Sequence, residues 1–286
     1  MIMSISAGHS QFGSQLNPDM IRHLFLNCIL SYKKKYGQRY GDIVICCDGP
    51  GNWRKKAFVY YKAKRAEGRA ESPMDWEMII DTLNGMYNEI DEFFPYKIVK
   101  VEGAEGDDVI AVIVKFLQEN ELVRRGLEEI QEDILIISAD KDFIQLQVYG
   151  NVYQFSPLQK KMLVERNPKE YRFNKIIRGD AGDGVPNIFS DDDVFVSPDK
   201  RQCPATAKKV DPMLAALLRG ESVPDEHRRN YDRNYLMIDL LESTPKDIAE
   251  AIVNSYKTAK QSPKSELLNY LMKFRMKNLA SDIGKF

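Results

Sequence analysis

Cysteine, histidine and long apolar runs are all scarce in this chain, and each scarcity removes a class of protein. The four cysteines (Cys28, Cys46, Cys47 and Cys203) and three histidines stand at none of the spacings that cage zinc. Cys46 and Cys47 lie inside an apolar run and read as buried thiols of a reducing, cytoplasmic setting. No apolar stretch approaches the about 20 residues of a membrane span, and the N-terminus lacks the basic-then-apolar pattern of a secretory signal. No internal repeat is present. Neither sign of charge dominates, with 41 Lys and Arg against 42 Asp and Glu, so net charge names no partner and the placement of charge carries the information. A chain of 286 residues has room for one large or two modest domains and a real core.

Periodicity supplies the framework. Residues 42–47, 97–101, 133–137 and 152–155 read as short strands, the third buried on both faces. Between them, helical spacing runs through Met20, Ile21, Leu24, Phe25, Cys28 and Ile29, through residues 76–94, and through Val109, Ile110, Val112, Ile113, Phe116 and Leu117. This alternation predicts an α/β fold with a mostly parallel sheet flanked by helices. From about residue 171 onward the pattern is helical (174–178, 212–218, 228–241, 246–256 and 264–274), which predicts an α/β domain over 1–178 and a helical domain over 179–286. Residues 190–193 and 197–199 read as a loose surface loop.

Four groups of acids interrupt this framework, each at the end of an element. Asp48 follows a strand and opens the turn Asp48-Gly49-Pro50-Gly51. Glu105, Asp107 and Asp108 load the first turn of a helix beyond what capping needs. Asp140 and Asp142 sit just past the C-terminal end of the strand at 133–137, where open α/β sheets place their ligands. Asp180 and Asp183, three apart, share a face if their turn is helical, and Gly182 and Gly184 beside them let backbone approach a phosphate or an ion closely. Carboxylates gathered at one point repel unless a divalent cation neutralises them, and hard cations choose oxygen. The plainer reading of any one group alone is a polar turn or a helix cap. Opposite in sign is the segment 53–69, with Arg54, Lys55, Lys56, Lys62, Lys64, Arg65 and Arg69 against Glu67 and with Trp53, Phe58, Tyr60 and Tyr61 interleaved. It reads either as a surface for a phosphate backbone with stacked bases or as a solvated helical face.

In their order and spacing, Asp48, Glu105-Gly106-Asp107-Asp108, Ile137-Ser138-Ala139-Asp140-Lys141-Asp142-Phe143 and Gly179-Asp180-Ala181-Gly182-Asp183 resemble the flap-endonuclease family of structure-specific 5′-nucleases. Ile21-Arg22-His23-Leu24, Tyr60-Tyr61-Lys62, Asp75-Trp76-Glu77, Tyr153-Gln154-Phe155-Ser156-Pro157 and Ile283-Gly284-Lys285-Phe286 are similar to phage members of it. The resemblance spans nearly the whole chain. It implies a PIN-like nuclease core, a helical arch over about 53–72, and a helix-three-turn-helix formed by 179–188 and the helical stretch around 206–218. By position, Asp48, Glu105, Asp107, Asp140, Asp142 and Asp183 match acids that hold two Mg2+ ions, with Mn2+ as a substitute, and Asp108 and Asp180 match neighbours that position them or act through water. Lys62 and Arg65 match arch cations on the scissile phosphate. Arg54, Lys55, Lys56, Lys64, Arg69, Gly182 and Gly184 fall where nucleic acid is contacted, Tyr61 where a base is stacked, and K+ is implied at the helix-three-turn-helix. The implied activity is 5′→3′ exonuclease and flap cleavage with ribonuclease H activity, removing RNA primers and 5′ flaps in phage replication. The implied substrates are branched or nicked duplex DNA and RNA–DNA hybrid, and the implied partners are a single-stranded-DNA-binding protein and a sliding clamp. No membrane is involved, and the enzyme is expected to be a monomer in the host cytoplasm.

Two departures accompany the resemblance. The family opens with a strand ending in a metal-binding Asp, whereas Met1-Ile2-Met3-Ser4 aligns just beyond that point, so a first strand is expected to be missing from this sequence. An acidic run, Asp191–Asp193, also replaces a glycine-rich turn. The alternative that the missing strand leaves is a structure-specific DNA-binding protein with an impaired site. A phosphatase using Asp48 would need an Asp two residues on, and Pro50 stands there.

Overall fold

A computed structural model describes residues 17–65, 72, 74–125 and 128–286. The chain divides into two compact units. The first draws on residues 1–47, 72–99 and 254–286, and the second on 48–71 and 100–253.

The first unit is built on helix α1 (Pro18–Tyr40). Asn17 caps it by accepting from the Met20 N–H, Pro18 starts it where a missing N–H costs nothing, and Gly41, at φ 75°, ends it. Its buried stripe of Ile21, Phe25, Leu26, Ile29 and Leu30 packs with Ile79, Leu83, Met86 and Ile90 of α3 (Trp76–Phe93), which Asp75 caps. Strands β1 (Val44–Cys47) and β2 (Lys97–Lys100) pair as a small sheet. C-terminal residues complete the same core. Tyr270 and Phe286 stand edge-on to Phe94 at centroid distances of 5.1 and 6.0 Å. One polar cluster crosses it, in which Arg22 pairs with Glu89 at 3.0 Å and the Tyr270 hydroxyl donates to the same carboxylate at 2.8 Å. The reading of residues 1–16, including the absent first strand, falls outside the described residues.

In the second unit α2 (Trp53–Ala57) is a short helix, followed by turns through residue 64, and Arg65 is again helical. Among the described residues the expected helical arch is helical at 53–57 and at Arg65, and Arg69 lies outside them. Helix α4 (Gly106–Asn120) buries Val109, Ala111, Ile113 and Val114. A hairpin of β3 (Val123–Arg125) and β4 (Glu128–Ile130), which periodicity did not mark, leads on. The parallel pairing expected of the core is present between β5 (Ile134–Ile137) and β6 (Val152–Ser156), and β7 (Lys161–Leu163) adds antiparallel to β6. β5 is less enclosed than its aliphatic composition suggested, since Ile137 is 36% exposed. A 3-10 segment, Lys141–Val148, drops Phe143 and Leu146 onto Ala111, Val114, Ile136 and Val152.

The helical part of this unit comprises α5 (Pro168–Arg178), α6 (Ala207–Leu218) and α7 (Asp225–Ile238). Their buried Ile176, Ile177, Val210, Leu214, Leu217 and Ile238 share a core with Trp53 and Phe58. Helix α8 (Lys246–Thr258) follows, and α9 (Lys264–Lys273) and α10 (Lys277–Ala280) return to the first unit. Residues 190–199 are pinned, not loose. Asp192 pairs with Arg229 and Arg233, and Lys200 bridges Asp191 and Asp193. No helix among the described residues is long and apolar enough to cross a membrane.

Phe94 is fully buried, so Phe94→Ala should lower the unfolding free energy by about 3–5 kcal/mol. Ile80→Ala, on an exposed face of α3, should change it by under about 0.5 kcal/mol. Urea titration of both variants checks the difference.

Candidate active site

The second unit gathers all eight acids singled out in the sequence, and backbone geometry puts each in place. Asp48 leaves β1 and accepts the Gly106 N–H at 2.7 Å, which ties it to the start of α4. Gly49 is obligatory here, because a Cβ would sit 1.7 Å from the Val101 carbonyl oxygen. Glu105 is the N-cap of α4 in a reciprocal box with Asp108. Asp108 is completely buried; its oxygens accept from Trp53 Nε1 at 3.0 Å, Arg54 Nη1 at 2.9 Å and the Glu105 N–H at 3.0 Å, and Arg54 Nη2 stands in an ion pair with it at 2.7 Å. Its oxygens are fully occupied, so it fits the positioning role and not direct ligation. Asp140, at the end of β5, caps the 3-10 segment through the Asp142 N–H at 2.9 Å.

Asp180 caps the turn Ala181–Asp183. That turn closes on residues 60–62. The Lys62 N–H donates to the Asp183 carbonyl at 2.8 Å, and a Cβ on Gly184 would lie 2.7 Å from the Tyr60 carbonyl oxygen. Gly184 therefore serves this close approach of two backbone segments and not a phosphate, while Gly182 is exposed. Lys62 itself sits at φ 54°, in the left-handed region that non-glycine residues occupy at a cost. The clamp with the 179–184 turn holds it there.

Cations of the chain stand among the carboxylates. The Lys62 ammonium lies 2.5 Å from Glu105 and 3.5 Å from Asp183, and Arg65 lies 2.5 Å from Asp183. The Tyr61 hydroxyl bridges Glu105 at 2.8 Å and Asp183 at 3.1 Å. Lys175, from the last turn of α5, joins Asp142 to Asp180. Among the described residues no three acidic, histidine or cysteine side chains stand grouped as a ready metal cage. The ammonium groups instead bridge carboxylates in pairs, Lys62 joining Glu105 to Asp183 and Lys175 joining Asp142 to Asp180.

Electrostatics follow the same division. Burial works to raise Glu105, but Lys62, Tyr61 and Arg54 outweigh it and hold the carboxyl below its ordinary range. Asp180 is likewise lowered, with Lys175 prevailing over burial. Asp107 goes the other way. Burial, then the charge of Asp140, then those of Glu105 and Asp48, push it up to about 7 against the pull of Lys62. That repulsion is an observation in favour of a hard divalent cation, since the donor set is all carboxylate oxygen and its uncompensated member is crowded by three others.

Several expected contacts are placed elsewhere. Arg54 is 2% exposed and pairs with Asp108 and Glu105, so it belongs to the core and does not face a phosphate. Tyr61 is 4% exposed with both neighbouring acids on its hydroxyl, which leaves no ring face for a base. Lys55, Lys56, Lys64 and Arg65 are exposed. Three functional groups escaped the sequence reading. Lys175 was legible only as the basic last turn of a helix. Arg233 donates to the Pro186 carbonyl at 2.9 Å and is balanced by Asp192. Gln154, completely buried, donates to the carbonyls of Ser138 and Asp140 at 3.0 and 2.5 Å and braces the turn that carries Asp140. Its visible signals were a polar residue inside an apolar strand and its place in the stretch Tyr153-Gln154-Phe155-Ser156-Pro157.

Residues 13–174 match the family profile described as the 5′–3′ exonuclease N-terminal, resolvase-like domain, and residues 169–286 match that of the T4 RNase H C-terminal domain. The chain therefore belongs to the 5′–3′ exonuclease family of nucleases. Within it, the chain is 33% identical over 284 residues to ribonuclease H of Enterobacteria phage T4, covering 95% of this chain and 88% of that one. The fold is also that of the bacteriophage T5 5′-exonuclease with bound zinc, at a TM-score of 0.59 and 17% identity over 90% of this chain and 97% of that one. A T5 flap endonuclease complex with DNA and metal ions superimposes at a TM-score of 0.55 and 17% identity, covering 82% and 92%.

Asp107 allows a test of the carboxylate crowding. Its folded pKa near 7 lies above the ordinary 3.8, so its charge disfavours the folded state as pH rises from about 4 through about 7 and has no effect below that window. Asp107→Asn should raise the melting temperature above pH 7 and leave it unchanged below pH 4. Addition of Mg2+ should shrink the gain at high pH. Thermal melts across pH, with and without Mg2+, check both.

Proposed function

We propose that this chain is a magnesium-dependent 5′→3′ exonuclease and flap endonuclease with ribonuclease H activity, which removes RNA primers and 5′ flaps during phage DNA replication. The observation that carries the reading is the meeting of Lys62 and Arg65 with Glu105 and Asp183, beside the crowded Asp48, Asp107 and Asp140. Such a site offers charge of both signs to a phosphodiester.

Asp48, Glu105, Asp107, Asp140, Asp142 and Asp183 would hold the divalent cations, with Asp108 and Asp180 positioning them. Bound there, two such ions would lower the pKa of the attacking water and stabilise the leaving oxygen. The chain's own groups do the rest. Lys62 and Arg65 exchange carboxylate for the scissile phosphate and stabilise the charge that grows on it in the transition state. Lys55, Lys56 and Lys64, exposed along the same segment, supply sequence-independent attraction to the backbone. The turn 179–188 with α6 is the duplex-binding element and the proposed K+ site, and division at residue 178 separates a nuclease part from a DNA-binding part. Branched or nicked duplex DNA and RNA–DNA hybrid are the substrates. A single-stranded-DNA-binding protein and a sliding clamp are the proposed partners of a monomer in the bacterial cytoplasm.

Asp140→Asn and Asp142→Asn should each lower cleavage of a 5′-flap substrate by about a thousandfold or more, with binding to branched DNA near normal. Retention of more than a tenth of the activity at saturating Mg2+ defeats the assignment. Chelation by EDTA should stop cleavage and spare binding. Lys62→Ala should slow the single-turnover step by about 10²–10³ with little change in Kd. A change in Kd alone would make Lys62 an ordinary backbone contact.

A further inference from the structure

A cleft of about 740 Å³ lies in the first unit and has no part in the nuclease site. Its volume falls within the about 300–1,000 Å³ of small-ligand sites. Lys33, Lys34, Lys264 and Lys285 line it, with Asp42 and Tyr96. Their charges do not balance. Lys34 and Lys285 share one carboxylate, Asp282, at 2.6 and 2.7 Å. Lys33 pairs with Asp42 at 2.9 Å, and Lys264, which also acts on the Asp42 charge, donates to the Gly284 carbonyl at 3.2 Å. Four ammonium groups thus face two side-chain carboxylates and the α-carboxylate of Phe286, which also lines the cleft, and positive charge remains in excess.

A second observation points to a ligand with acceptor oxygens. Tyr96 is 1% exposed, and its buried hydroxyl has no hydrogen-bond partner among the described residues. Burial and the nearby Asp42 raise its pKa, so it remains a donor at neutral pH. Gln38 adds an amide donor, while the Gln261 side chain is already bonded to Asp42. No arginine is present, so the forked geometry that selects planar carboxylates is absent and point-charge donors, which suit phosphate, take its place.

We infer that this cleft binds a phosphate monoester of nucleotide size. A monoester phosphate carries about −1.5 to −2 charge at neutral pH, so it gains more from the four ammonium groups than a diester, which carries one charge. A free nucleoside 5′-monophosphate and the phosphorylated 5′ end of an oligonucleotide share this chemistry.

Calorimetric titration of the whole chain in EDTA with inorganic phosphate, thymidine 5′-monophosphate, thymidine 3′,5′-cyclic monophosphate and a 5′-phosphorylated oligothymidylate tests the inference. The monophosphate should bind saturably and about tenfold more tightly than the cyclic diester. Stronger binding of the mononucleotide than of the oligonucleotide would identify the free nucleotide as the ligand, and the reverse would identify the strand end. Lys34→Gln with Lys285→Gln should weaken binding about tenfold or more, and Tyr96→Phe should weaken it several-fold without lowering the melting temperature. Both variants should cleave a 5′-flap at the wild-type rate. Binding that disappears in Lys62→Ala but survives the lysine and Tyr96 variants would place the ligand in the nuclease site and overturn the inference. So would saturable binding of an acidic peptide with no binding of any phosphate. Because the readout is binding without metal, its failure is distinct from failure of the nuclease reading.

Discussion

The carboxylate of Asp108 is the constraint on which the rest of the site depends. It is completely buried, and an ion in that position is tolerable only when paired and hydrogen-bonded. Trp53, Arg54 and the Glu105 N–H all converge on it, so one buried charge joins the basic segment to the first turn of α4. Glu105 and Asp107 inherit their placement from that junction. Removing one partner of such a pair strands the other, at about 3–5 kcal/mol, so Arg54 and Asp108 must be retained together. An arginine and an aspartate that resemble ligands of other molecules are here ligands of each other.

Around that anchor the chain balances like charges with its own cations. Lys62 and Arg65 serve Glu105 and Asp183, and Lys175 serves Asp142 and Asp180. In the nuclease reading these contacts have two uses. They hold carboxylates close to one another, and they keep the cations that a phosphate needs within reach of it. A divalent ion and a phosphodiester would then assist each other, because each takes over a partner that the other releases. Such coupling is reciprocal by thermodynamic necessity. Asp107 is the member for which no cation of the chain suffices, and its high pKa marks where added positive charge has most effect.

The first unit has a different logic. Its core is aliphatic and aromatic, completed by C-terminal residues that pack on α1 and α3, and its charged cleft is lined by lysines. Its lysines exceed their acids, whereas in the nuclease site nearly every cation already has a carboxylate.

Much of this was legible along the chain. Helix spans followed from 3.6-residue spacing, because that signal is local. The four acidic groups were visible because each lies at the end of an element whose pattern stops there, and their order sufficed to indicate the family. What sequence could not assign was the partner of each charge. Arg54 and Lys62 have the same chemistry in the same basic segment, yet one is buried against Asp108 and the other turned to Glu105 and Asp183. That difference arises from the packing of Trp53 and Phe58 on α5 and α7. Lys175 and Gln154 became site residues only when α5 and β6 came to rest beside the Asp140 turn. Asp192 ceased to be a loose acid when Arg233, 41 residues further on, reached it. Local pattern encodes where an element begins and ends; distant pairing depends on which faces the core buries, and only the folded chain decides that.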